Sequence, residues 1–147
     1  MNDRHQVRRG ALLALFQFDA GRLNDTDEVL EGLIAADVPE QLAEESLRVA
    51  QSVWEDRTTG DAIVSELAPE WPVHRQPNVD RSLLRLATWE IRTGHAPPKV
   101  VIDEAVELAH EFSTEHSGAF VNGVLDRYWK RLDQSATTPT ADTDGAF

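Results

Sequence analysis

A chain of 147 residues with 41% hydrophobic content is long enough for one compact core and short for two independent domains. It has no cysteine, which excludes a disulfide framework, a thiolate metal site and a cysteine nucleophile, and its formal net charge of −12 argues against broad polyphosphate binding, which needs Lys and Arg to displace counterions. The N-terminal apolar run is broken at Gln17 and Asp19, so neither a signal peptide nor a membrane span is expected, and a soluble cytoplasmic protein is.

Periodicity is helical nearly throughout, and no segment sustains strand-like alternation. In the first segment Val7, Ala11, Ala14, Leu15 and Phe18 form one apolar stripe, with Asn2 or Asp3 as N-cap and Gly21 as the stop. A short helix is expected from Thr26 to about Ala36. Asp37 before Pro39 then reads as the N-cap of a third helix, lined by Leu42, Ser46, Val49, Ala50, Val53 and Trp54. A fourth runs from about Thr59 to Ala68 with Ile63, Val64 and Leu67 on its apolar face.

Pro69, Pro72 and Pro77 mark residues 69–77 as a connection, with Trp71 expected to pin it to the core. Val79, Leu83, Leu86, Ala87 and Ile91 define a fifth helix that Gly94 ends. Pro97 and Pro98 start a sixth, with the stripe Val101, Ala105, Leu108, Ala109 and Phe112, and with Glu104, Glu107 and Glu111 expected to face water. The seventh spans about Ser117 to Leu132 through Val121, Val124, Leu125, Tyr128 and Leu132. Residues 133–147 are apolar-poor and expected to be disordered. The expectation is an all-α fold of about seven helices in two packed helical-bundle subdomains, about 1–77 and 78–132, within one domain over 1–132. Periodicity alone does not choose this topology among helical bundles.

Charge is spread unevenly along these elements. Residues 1–24 carry four Arg against two Asp, residues 25–77 three Arg against thirteen acids, and residues 78–132 seven cations against eight acids. A cationic N-terminus therefore precedes a strongly acidic middle, which either faces a basic partner or only aids solubility. An RNA contact on such a chain has to be local.

Few residues support catalysis or metal binding. Glu107 and His110 form a single Glu-x-x-His step where di-iron bundles need two, and the histidines at 5, 74, 95, 110 and 116 show no ligand spacing, so no metal and no cofactor are expected. There is no nucleophile elbow, phosphate-cradling loop or dinucleotide fingerprint. Asn122, inside the apolar run Phe120 to Leu125, reads more readily as a buried hydrogen bonder than as a ligand-binding group. Arg4, Arg8 and Arg9 oppose the dipole of the helix they begin by roughly 0.3–1 kcal/mol each, so helix stability alone does not account for them. They are either functional cations or a solubilising tail.

Three motifs in order carry a family resemblance. Arg8-Arg9-Gly10-Ala11-Leu12-Leu13-Ala14-Leu15-Phe16-Gln17-Phe18-Asp19 opens the chain; Val79 to Glu90 and Lys99 to Ala109 follow; Phe120-Val121-Asn122-Gly123-Val124-Leu125-Asp126 closes the set. Together they span most of residues 4–132 and resemble the NusB family of bacterial transcription antitermination and ribosomal-RNA-processing factors. The resemblance implies an all-helical, non-enzymatic RNA-binding adaptor that joins ribosomal protein NusE to boxA RNA in ribosomal RNA transcripts, with other Nus factors and RNA polymerase as indirect partners. It matches Arg4, Arg8 and Arg9 to the family's arginine-rich segment that touches boxA, and His116 and Phe120 to a second region near the RNA path. Base stacking suits an exposed Phe120, whereas a buried one is core. Two rivals stand beside it: a helical protein-protein adaptor without RNA binding, and a stand-alone relative of the NusB-like domain of rRNA cytosine methyltransferases, against which the absence of a methyl-donor domain after residue 132 counts. Oligomeric state, including a homodimer, is open.

Overall fold

Asn2 opens the first helix, α1 (Asp3–Asp19), by accepting the His5 N–H on its side-chain oxygen at 2.7 Å, a cap of the kind that contributes about 1 kcal/mol. The computed structural model describes residues 2–113 and 115–146, the side chains of Glu115 and of residues 135–146 excepted. The last helix continues to Ala146, past the expected end near Leu132, and from residue 135 on its side chains lie outside those described. After α1 come α2 (Thr26–Ala35), α3 (Glu40–Glu55), α4 (Arg57–Leu67), a 3-10 turn (Val73–Arg75), α5 (Asn78–Arg92), α6 (Pro98–Phe112) and α7 (Glu115–Ala146). No strand occurs among the described residues, and none of the helices searched is long and apolar enough to cross a membrane.

Helix ends follow local chemistry closely. Gly21 and Gly94 adopt positive φ just past α1 and α5, and the next residues reach back, Arg22 N to Gln17 O at 3.0 Å and His95 N to Glu90 O at 2.9 Å. Both are Schellman endings. Asp37 departs from the expected N-cap role: with φ of 70° it terminates α2 in the same way, Val38 N bonding Leu33 O at 3.0 Å while both side chains are buried. A short polar residue tolerates this left-handed conformation better than a branched one does. Pro39, not Asp37, then flanks α3.

One hydrophobic cluster draws on every helix, from Ala11 and Leu15 through Leu33, Val53, Val64, Leu83 and Leu108 to Tyr128. α5 lies at its centre, touching α1, α3, α4, α6 and α7. A helix so enclosed has little solvent-facing side, so its polar positions Asp80, Arg85, Thr88 and Glu90 are buried along with Leu83, Leu84 and Leu86. Burying charge without partners is costly, and each charged residue has one. Asp61 holds Arg85 at 2.8 and 2.9 Å, Ser117 of α7 donates to Asp80, and Arg8 of α1 holds Glu90. α1 also packs tightly on α3, because Gly10 lets the Ser46 side chain lie where a Cβ would stand.

Candidate nucleic-acid interface

The three N-terminal arginines meet three different fates. Arg4 is half exposed and forms a two-pronged pair with Glu45 of α3, at 2.7 and 3.0 Å, which holds the Glu45 carboxyl below the usual range. Arg9 bonds the Glu111 carboxylate at 2.8 Å and the Ala36 carbonyl at 2.6 Å, with its guanidinium 5.5 Å from the centroid of Phe112. Arg8 points inward. Its side chain is 8% exposed, its Nε contacts both Glu90 oxygens at 3.0 and 3.1 Å, and its Nη1 lies 3.4 Å from Glu104. Burial pushes the Glu90 carboxyl above its ordinary range, against the pull of Arg8.

The Arg8 contacts correct one expectation. Glu104 does not face water but turns toward α1, where its carboxylate meets Arg8 and, at 2.7 Å, His5 Nδ1. Glu107 and Glu111 are exposed as expected, although Glu111 is spoken for by Arg9.

Arg9 brings α1 to the last turn of α6, from which the chain passes to His116 at the start of α7. His116 is exposed and lines an open groove with Val106, His110, Gly118, Ala119 and Asn122, none of them acidic. Gly118 lets the His110 ring close on α7: a Cβ there would stand 2.6 Å from His110 Nε2. Asn122 is exposed, not buried, because Val121, Val124, Leu125 and Tyr128 take the core-facing side of α7.

Phe120 sits apart from the arginines. It is half-buried, packed against Trp71 with ring centroids 5.5 Å apart and planes tilted by 37°. Trp71 itself is 44% exposed, so this ring does not sink into the core as expected but forms an aromatic surface with Phe120. Sequence reasoning also passed over Arg48, Arg75 and Arg127, which are exposed and form no ion pair among the described residues. Arg48 lies one turn from Glu45 on α3, and Arg75 and Arg127 flank the Trp71 connection, Arg127 by bonding Leu67 O at 2.9 Å. Only the fold shows which cations lack carboxylate partners.

The NusB family model matches residues 5–130. The chain belongs to the NusB family. Among relatives named transcription antitermination protein NusB, that of Herpetosiphon aurantiacus is 40% identical over 131 residues, covering 83% of this chain and 86% of its own, and that of Chloroflexus aggregans 41% identical over 128 residues, covering 84% and 85%. A solved structure of T. maritima NusB is similar at 36% identity and a TM-score of 0.72, over 84% of this chain and 88% of that one. The fold, at 24% identity and a TM-score of 0.74 over 89% and 98%, is also that of a chain in the crystal structure of antitermination factors NusB and NusE in complex with dsRNA. The relatives are named for transcription antitermination and not for a catalysed reaction.

Proposed function

We propose that this protein is a cytoplasmic transcription antitermination factor that, with NusE, recognises boxA RNA in ribosomal RNA transcripts and so supports rRNA synthesis and maturation. The observation that carries the reading is the family match over residues 5–130, joined to the arginines of the N-terminal half of α1, of which Arg4 is half exposed. A NusB of the same fold in complex with NusE and dsRNA supports the partner assignment. Other Nus factors and RNA polymerase enter indirectly, through the assembly.

In this reading Arg4 and Arg9, aided by Arg48, meet phosphates, and His116 and Phe120 meet the RNA farther along. Arg4 exchanges its half-exposed Glu45 pair for a phosphate at little cost, Arg9 must also leave Glu111 and the Ala36 carbonyl, and Arg48 has no ion pair to break among the described residues. Arg8 serves differently: its buried pair with Glu90 holds α1 against α5 and so positions the residues on either side of it. The groove between α6 and α7, with no acidic residue among its described lining, gives the RNA a path beside His116. Residues 1–132 act as one helical domain.

The experiment is a fluorescence anisotropy titration of the full chain, with NusE present, against boxA RNA and against RNA of the same composition in scrambled order, at one salt concentration. Tighter binding of boxA supports the reading. Equal affinity for both removes boxA recognition, and no RNA binding leaves a protein-protein adaptor.

A further inference from the structure

His5 near the start of α1 is 99 residues from Glu104, yet their side chains meet, His5 Nδ1 lying 2.7 Å from Glu104 Oε2. Glu107, one turn further along α6, completes a trio whose nitrogen and two carboxylate oxygens all lie within 4.8 Å of one another. We propose that His5, Glu104 and Glu107 form a site for one first-row divalent cation of the Zn2+ class, clamping α1 to α6 beside the arginine-bearing turn.

The donor set suits such an ion, because imidazole nitrogen and carboxylate oxygen are the ordinary ligands of zinc outside thiolate sites. Three protein ligands leave a fourth position for water. Charge favours occupation as well. Arg8 is matched by Glu90, whose two oxygens it holds at 3.0 and 3.1 Å, and it reaches Glu104 only through the longer 3.4 Å contact on the other oxygen, Oε1. Among the described residues, the two carboxylates thus share a place where the remaining compensation is that contact and the His5 ring.

Geometry asks for a small adjustment. Ligand atoms about 2.0–2.2 Å from a tetrahedral ion lie roughly 3.3 Å apart, so the His5 and Glu104 atoms would separate by roughly 0.6 Å. His5 is fixed from behind by the Asn2 cap on its backbone N–H, and its side chain is 9% exposed, whereas Glu107 is exposed and free to swing onto an ion arriving from solvent. An ion taking Nδ1 replaces the direct contact between that nitrogen and Glu104 Oε2.

The test is calorimetric titration of the full chain with Zn2+ in chelator-free buffer, with thermal melting alongside. The expected result is one site whose occupation raises Tm, with affinity reduced more than about tenfold by Glu107→Gln and lost in His5→Ala. Glu107→Gln alters an exposed side chain and decides the matter even if His5→Ala folds poorly. A variant carrying His110→Ala and His116→Ala should bind as the wild type does. Undiminished binding by Glu107→Gln, loss of binding in the His110/His116 variant, or no binding by the wild type would overturn the assignment.

Discussion

Arg8 and Glu90, 82 residues apart in sequence, form a buried ion pair in which one guanidinium nitrogen reaches both carboxylate oxygens. Removing one member of such a pair leaves the other charged and desolvated. Arg8→Ala should therefore cost about 3–5 kcal/mol, whereas Arg4→Ala, which breaks an exposed pair, should cost about 0–1 kcal/mol. Urea denaturation of the two variants checks this. Similar midpoints for both would mean that Arg8 is not held as described.

A second contrast concerns two glycines within helices. Gly32 of α2 has open space where a Cβ would go, so Gly32→Ala should stabilise by about 0.5–1 kcal/mol through helix propensity. At Gly10 the same change drives a methyl into the Oγ and Cβ of Ser46, whose hydroxyl is tied to Leu42 O at 2.9 Å. There α1 and α3 must part, and Gly10→Ala should lower Tm. An increase in Tm for both would refute the close approach.

Asp80 gives a pH signature. It is 4% exposed, and among the described residues Ser117 is its partner and no cation lies against it, so burial raises its carboxyl above the ordinary 3.8. A folded state that holds the proton more tightly than the unfolded chain gains stability below 3.8 and loses it as pH rises through the raised folded value. Asp80→Asn keeps an acceptor for Ser117 and removes the titration. The unfolding free energy of the wild type minus that of Asp80→Asn should fall as pH rises from about 4, then level off. A gap that grows over that range would contradict the burial argument.

For RNA, Arg4→Ala with Arg9→Ala should weaken binding and flatten the dependence of log affinity on log salt by about 0.7 for each single-strand phosphate no longer neutralised, or roughly 1.4 for both. Trp71→Ala and Phe120→Ala should instead lower affinity by about 1–3 kcal/mol each if bases stack on them, with little change in slope. Anisotropy titrations across a salt series separate the two effects. A slope unaltered by the arginine variant would make the α1 arginines structural only.

What was legible in the sequence was local. Gly21, Gly94 and Pro98 mark helix ends through backbone conformation, and the stripes from Val7 to Phe18 and from Val79 to Ile91 mark core faces through spacing, so the helices and most of the core follow from neighbours within a few turns. Arg8 carried a signal that spacing can reveal: it stands three, four and seven residues before Ala11, Leu12 and Leu15, all buried, as Glu90 stands seven, four and three after Leu83, Leu86 and Ala87. Two opposite charges on buried stripes call for each other. Glu104, Trp71 and Asn122 were misplaced because their surroundings come from other elements: α1 covers Glu104, the Pro-rich connection lifts Trp71 outward, and the core-facing side of α7 is set by its packing on α6. In the acidic middle, Glu45, Asp56, Asp61 and Glu66 pair with Arg4, Arg92, Arg85 and Arg131, contacts between elements that spacing along the chain does not show.

A factor that recognises boxA RNA together with NusE should bind the two cooperatively. Coupling free energy is shared between the two ligands, so NusE should tighten boxA RNA binding and boxA RNA should tighten NusE binding by the same factor. Anisotropy titration of labelled boxA RNA with the full chain, with and without saturating NusE at one fixed salt concentration, together with the reciprocal titration of NusE, measures both factors. Two equal factors greater than one are expected; RNA affinity indifferent to NusE would rule out joint recognition of boxA.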